Sequence, residues 1–170
     1  MPKTKHDYLD ALAGHLMAEG LTGASLRNLA RAAGTSDRML IYHFGTKDAL
    51  VADALAHIAE RTKEALAMTL PGEPSFREMF EATSSPLLTP AFAIWQELVA
   101  GAARGDETLR AAGEAIGGDF LDWFAARLGD RAHLAPLALA VLDGAAELRA
   151  VGHDLAATDA QEAFFALVGE

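Results

Sequence analysis

The sequence predicts an all-α protein of about nine helices, and three observations carry that expectation. Alanine, leucine and glutamate, all strong helix formers, dominate a chain of 170 residues of which 51% are hydrophobic. β-Branched residues are sparse, and no stretch alternates apolar with polar at period two as a half-buried strand does. Apolar residues recur instead at three-four spacing between Gly, Pro and Ser/Thr punctuation.

The elements follow from that punctuation. Tyr8, Leu9, Leu12, Leu16 and Met17 mark a first helix near residues 4–19, ended by Gly20. Ser25 is the N-cap of a second, short helix over 26–33, with Leu26, Leu29, Ala30 and Ala33 on one face and Gly34 at its stop. Ser36 caps a third over 37–43, with Leu40 and Phe44 turned inward and Gly45 breaking the chain. Thr46 caps a longer fourth helix to about Met68. Pro71-Gly72-Glu73-Pro74 is a loop, because two prolines and a glycine in four residues cannot continue a helix. Ser75 with Glu78 reads as a capping box opening a fifth helix that ends before Pro86. Thr89-Pro90 opens a sixth, where the missing proline amide costs nothing. Gly105-Asp106 precedes a seventh through Leu128, weakened or bent at Gly117-Gly118. Gly129-Asp130 starts an eighth to about Val151, and Thr158 with Gln161 reads as a second capping box before a short final helix ending near Val168.

Composition closes several branches of chemistry. Without cysteine there is no disulfide, thiolate zinc site, iron-sulfur ligation or cysteine nucleophile. No apolar run of about eighteen residues is free of charge, and Met1-Pro2-Lys3-Thr4-Lys5-His6 leads into a polar periodic segment. The expectation is a cytoplasmic protein that does not engage a membrane. No glycine-framed nucleophile, phosphate-cradling glycine loop or paired metal motif is present, so no catalytic residue, metal or cofactor is assigned. His57 with Glu60 and His15 with Glu19 share helical spacings, but two ligands on one helix make a weak site.

The informative segment is 22–50: two short helices joined through Gly34-Thr35-Ser36, the shape of a helix-turn-helix whose second helix can enter a DNA major groove. Gly34, Ser36, Leu40, His43, Phe44, Lys47 and Leu50 fall in the order and spacing of the DNA-binding domain of TetR-family bacterial regulators, which the chain resembles over roughly residues 5–55. Ile41 stands where that family usually has a tyrosine associated with the DNA backbone. The resemblance implies a DNA-binding domain over 1–47 and a helical ligand-binding and dimerisation domain over 48–170. It also implies a cytoplasmic homodimeric repressor of a palindromic double-stranded operator, released by a small apolar or amphipathic effector. A helical protein-interaction module that has lost specific DNA binding is the alternative, motivated by Ile41 and by acidic Asp37.

The first turn of the third helix is where side chains meet base edges, which makes Asp37, Arg38, Met39 and Tyr42 candidate readers. Ser25, Arg27, Thr35, Ser36, His43 and Lys47 complete the candidate DNA set, hydroxyls and cations at helix starts being suited to phosphates. His43, beside the apolar anchor Phe44, suits a mixed structural and backbone role. Phe76, Phe80, Phe92, Trp95, Phe120, Trp123 and Phe124 cluster on the fifth to seventh helices and are candidates to line an effector cavity with Gln96; each is also an ordinary core residue on its own. His57 and Glu97 are further polar groups that could orient a ligand or simply cap. Leu137, Val141, Leu142, Ala145 and Leu148, with Phe164, Phe165 and Val168, form wide apolar faces on the last two helices, either core or a four-helix dimer interface.

The net charge of −10 argues, taken whole, against a nucleic-acid partner. Its distribution does not. Residues 1–48 hold six cations (Lys3, Lys5, Arg27, Arg31, Arg38, Lys47) and five acids (Asp7, Asp10, Glu19, Asp37, Asp48), so the acid excess lies in the remainder. Such a body would repel DNA everywhere except at a nearly neutral head.

Overall fold

The computed structural model describes residues 4–70 and 72–170, and within these the chain is helical with no strand. Lys3, counted above among the cations, and Pro71 of the expected loop lie outside the described residues. The helices are α1 (Lys5–Glu19), α2 (Leu26–Ala32), α3 (Asp37–Phe44), α4 (Lys47–Thr69), α5 (Phe76–Thr83), α6 (Thr89–Ala103), α7 (Glu107–Leu128), α8 (Ala135–Ala150) and α9 (Asp154–Val168). No helix among the described residues is long and apolar enough to cross a membrane.

The expected caps set the first half. The Ser25 hydroxyl accepts from the Asn28 amide at 3.2 Å, that of Ser36 from Met39 at 3.3 Å and that of Thr46 from Ala49 at 3.0 Å. Each satisfies an amide that the first helical turn leaves unpaired, worth about 1 kcal/mol per cap. Ser75 and Glu78 form the expected capping box of α5. Thr4 and Asp7 form one at α1, from a Thr-x-x-Asp signal that the reading above passed over.

Three expectations are corrected. The Gly117-Gly118 pair does not interrupt α7, because Gly117 lies where a Cβ would meet the Trp95 ring at 3.6 Å and close helix packing offsets glycine's low propensity. The segment from Gly129 to Leu134 is a 3₁₀ turn, and α8 begins only at Ala135. Thr158 and Gln161 cap nothing: α9 already starts at Asp154, Thr158 Oγ1 donates back to the Asp154 carbonyl at 3.0 Å, and Gln161 is buried. The last helix is therefore a full one.

The chain forms two compact units: residues up to Thr62 with Leu87–Gly117, and Lys63–Pro86 with Gly118–Glu170. In the first, α1 packs against α2 and α6, and α2 against α3. Its core contains Tyr8, Leu12, Leu16, Leu29, Leu40, Phe44, Leu50 and Leu55. Lys5 ties α1 to α4 through Asp53 at 2.7 Å and lies 5.1 Å over the Phe44 ring. Asp10 accepts from His57 at 2.8 Å and Arg61 at 3.0 Å, a second link between these helices.

The second unit closes around Phe76, Met79, Phe80, Phe124, Leu128, Ala138, Leu142, Phe164 and Phe165. Phe80 stacks on Phe164 at 5.3 Å and meets Phe165 edge-on at 5.1 Å, while Phe76 meets Phe164 edge-on at 5.0 Å. Around this core Arg77 grips Glu162 through two 2.8 Å bonds. The Glu170 carboxylate accepts the Phe76 and Arg77 amides at 3.1 and 3.2 Å and pairs with Arg131. Thus α9 is fastened to the start of α5 by polar contacts at the core's edge.

Candidate nucleic-acid interface

The site is built from helix starts. Gly34, at φ +62°, takes the left-handed conformation that the turn between α2 and α3 requires, and the Thr35 amide donates to the Ala30 carbonyl at 3.0 Å. Leu40 (0% exposed) and Phe44 (6%) anchor the inner face of α3. With that face fixed, Asp37, Arg38, Met39, Ile41 and Tyr42 lie exposed, and Tyr42 keeps 78% of its surface. Four of the proposed readers, Asp37, Arg38, Met39 and Tyr42, therefore share the open side of one short helix.

Around them, Ser25, Arg27, Ser36 and Lys47 are exposed and Thr35 is half-buried. The two serine oxygens are engaged as cap acceptors, which leaves each hydroxyl hydrogen to donate to a phosphate. Among the described residues Arg27, Arg38 and Lys47 have no ion-pair partner, whereas Lys5 and Arg61 are paired with acids. Unpaired cations on an exposed face keep their full charge for a phosphate backbone. Asp37 lies in the first turn of α3, where an acid also favours the helix dipole. His43 is half-buried, its ring 5.2 Å from both Tyr8 and Tyr42, a packing position at the edge of the face.

The other candidate residues divide between the units. Phe92, Trp95 and Gln96 are half-buried on α6 in the first; Phe120 and Trp123 are half-buried on α7 in the second. Phe76, Phe80 and Phe124 are completely enclosed in the core of the second unit, together with Phe164 and Phe165. The last two are buried within the chain at 4% and 5% exposure, as are Leu142 and Ala145. Leu137 is exposed, and Val141, Leu148 and Val168 are half-buried. Sequence reasoning named Leu167 with the apolar residues of the last helix but missed Leu155 of α9 and Val151 after α8; all three are more than two-thirds exposed. The signal was available, since apolar residues outside the buried heptad-like set have no core to enter.

The polar candidates have partners within the chain. His57 is held by Asp10, His15 lies 3.3 Å from the Gly23 carbonyl, and Glu97 caps the turn after α1. The hydrogen bond from His57 brings the Asp10 carboxyl below the usual aspartate value, against the opposing effect of burial and with His6 and Arg61 nearby in support. Arg127 lies 3.7 Å over the Trp123 ring, and burial lowers its guanidinium pKa.

Residues 9–54 match the family model of bacterial regulatory proteins of the tetR family. No curated protein matches the chain. Among solved structures, a TetR-family transcriptional regulator from Rhodococcus sp. is similar at 20% identity, covering 96% of this chain and 97% of that one with a TM-score of 0.73. The multidrug binding protein EbrR, solved with proflavin, is 23% identical over 96% of this chain and 98% of its own, with a TM-score of 0.70. A transcriptional regulator from Saccharomonospora viridis, solved with choline, is 17% identical over 92% and 93%, with a TM-score of 0.68. The likeness over nearly the whole length of each chain is one of fold.

Proposed function

We propose, from the match of residues 9–54 to the tetR family model, that the chain is a ligand-responsive repressor of that family that binds a palindromic operator as a homodimer in the cytoplasm. The observation that carries this reading is the open face of α3, where Arg38, Met39 and Tyr42 stand exposed, with Arg27 of α2 and Lys47 of α4 also exposed and without ion-pair partners among the described residues. Arg38 is suited to a guanine edge and Met39 to a thymine methyl; Lys47 and the capping serines Ser25 and Ser36 position the backbone. In domain terms, residues 1–47 read DNA, and residues 48–170 bind the effector and the second protomer.

The exposed apolar surface supports the homodimer. On α8 the exposed Leu137 lines up with the half-buried Val141 and Leu148, and on α9 Leu167 is exposed beside the half-buried Val168; a two-fold axis through such a patch makes it self-complementary. Two recognition helices then meet major grooves about 34 Å apart or a multiple of that. Leu142, Ala145, Phe164 and Phe165 support this face from beneath.

The effector reading rests on aromatic rings that keep accessible surface, Phe92 and Trp95 beside Gln96 in the first unit and Phe120 and Trp123 in the second; Phe76, Phe80 and Phe124 stiffen the wall behind the latter. Flat or quaternary cations such as proflavin and choline, which similar folds hold, are the first probes. For nearly complete switching the effector must prefer the non-binding state by about 10⁴-fold. Gel retardation of a random duplex pool, with the protein's mass measured alongside, tests the proposal. Retention by a dimer supports it; folded dimer that retains no duplex favours the interaction-module alternative.

A further inference from the structure

We propose that Glu97 of α6 is a positioning residue for the DNA-reading head, and that displacement of α6 reaches the turn after α1 through its carboxylate. The proposal rests on the effector-responsive reading above and names how the head is regulated.

The turn between α1 and α2 begins with Gly20 at φ +72° and ψ 178°, a conformation essentially confined to glycine. A Cβ there would stand 2.5 Å from Glu97 Oε1 and 3.0 Å from Oε2. The turn therefore requires glycine at position 20, and any larger residue there would displace the Glu97 carboxylate from its place. Immediately after it, the Leu21 amide donates to Glu97 Oε2 at 2.7 Å, across 76 residues of sequence. That length marks a charge-assisted bond, and the amide is the first donor of a 3₁₀ turn with no acceptor of its own behind it. The bond is part-buried, where competition from water is reduced.

On its other side α6 is locked to α7. Leu98 Cδ2 fills the space a Cβ on Gly113 would need, the Trp95 ring lies over Gly117, and Leu109 of α7 lies over Gly101 of α6. Close-packed helices of this kind shift as a body rather than deform. The head turn, Glu97, α6 and the first part of α7 thus form a continuous mechanical chain, and α7 runs on without a break past Gly118. Trp95 and Gln96, candidate effector contacts, immediately precede Glu97. A ligand seated on them acts on the residue that holds the head.

The test compares wild type with Glu97→Ala and Glu97→Gln in two measurements: amide exchange at Leu21, and affinity for duplexes carrying the retained half-sites at their parent spacing, at spacings changed by one or two base pairs, and as a single half-site. Glu97→Ala is expected to speed Leu21 exchange about tenfold or more and to lower the preference for the parent spacing by a similar factor. Single half-site affinity stays at the wild-type value, which a general loss of folding would not spare. Glu97→Gln, whose amide oxygen can still accept, restores both. Wild type that binds the duplexes together with a Glu97→Ala protein that discriminates spacing equally well overturns the role of Glu97. Wild type that binds no duplex overturns the regulator reading itself.

Discussion

Lys47→Ala isolates the electrostatic part of DNA binding. Lys47 is exposed, makes no ion pair among the described residues and is the first residue of α4. A cation opposes the helix dipole at that end, so its removal leaves stability unchanged or slightly raised, by about 0.3–1 kcal/mol. Its loss on DNA should be plain. Arg27 and Lys47, the unpaired cations assigned to the backbone, number two per head and four per dimer. If all four reach phosphates, they contribute about −3.6 to the slope of log affinity against log salt, each contact contributing about −0.9. Lys47→Ala removes two contacts per dimer and should flatten the slope by about 1.8. Fluorescence anisotropy between 50 and 200 mM salt, a convenient range of order given by counterion release, measures it on a retained fragment and on random DNA. Both should weaken by the same factor, because a phosphate contact carries no sequence information. An unchanged slope, or a loss confined to the specific fragment, would refute the assignment of Lys47 to the backbone.

Four further outcomes are expected. Arg38→Ala should relax preference at one base position by about 1–3 kcal/mol, measured by competition among single-base operator variants, and an equal loss on random DNA would remove its reading role. Phe80→Ala should cost about 3–5 kcal/mol in denaturant unfolding, since Phe80 is 3% exposed and packed against two phenylalanines; a loss under about 1 kcal/mol would mean the core is not closed as described. Gly20→Ala should destabilise the head by about 1–3 kcal/mol from backbone conformation alone and displace Glu97, seen as faster exchange at Leu21. The pH dependence follows from Glu170. Burial pushes its carboxyl up, but Arg131 and the Phe76 and Arg77 amides outweigh it and hold the pKa below the ordinary glutamate value. A depressed pKa gives stability that is present above the unfolded-state value and lost as pH falls through the folded-state value. Glu170→Gln should therefore lower stability at neutral pH and flatten the acid limb of the stability curve; an acid limb identical to wild type would contradict this.

What could be read from the sequence was local. Ser25, Ser36, Thr46 and Ser75 each announce a helix start because the cap is made within three residues, and each is found capping. The same rule misled at Thr158, where a helix already under way leaves the hydroxyl only its own backbone to bond. The exposed face of α3 was legible because its glycine turn, buried Leu40 and Phe44, and exposed neighbours are all set within a dozen residues. The aromatic groups were not, since Phe76 and Phe80 meet Phe164 and Phe165 only once α5 and α9 are brought together. Nor was Glu97, whose partner is 76 residues away. Side chains whose role is decided by a distant helix carry no local signature.

The most direct measurement of the central claim is to sequence the members of a random duplex pool retained by the purified protein. The account predicts an inverted repeat whose half-site centres lie one helical turn, about 34 Å, or a multiple apart, with preference at one position in each half-site lost in Arg38→Ala. A folded protein that enriches no motif, or a motif without symmetry that Arg38→Ala leaves unchanged, would contradict it.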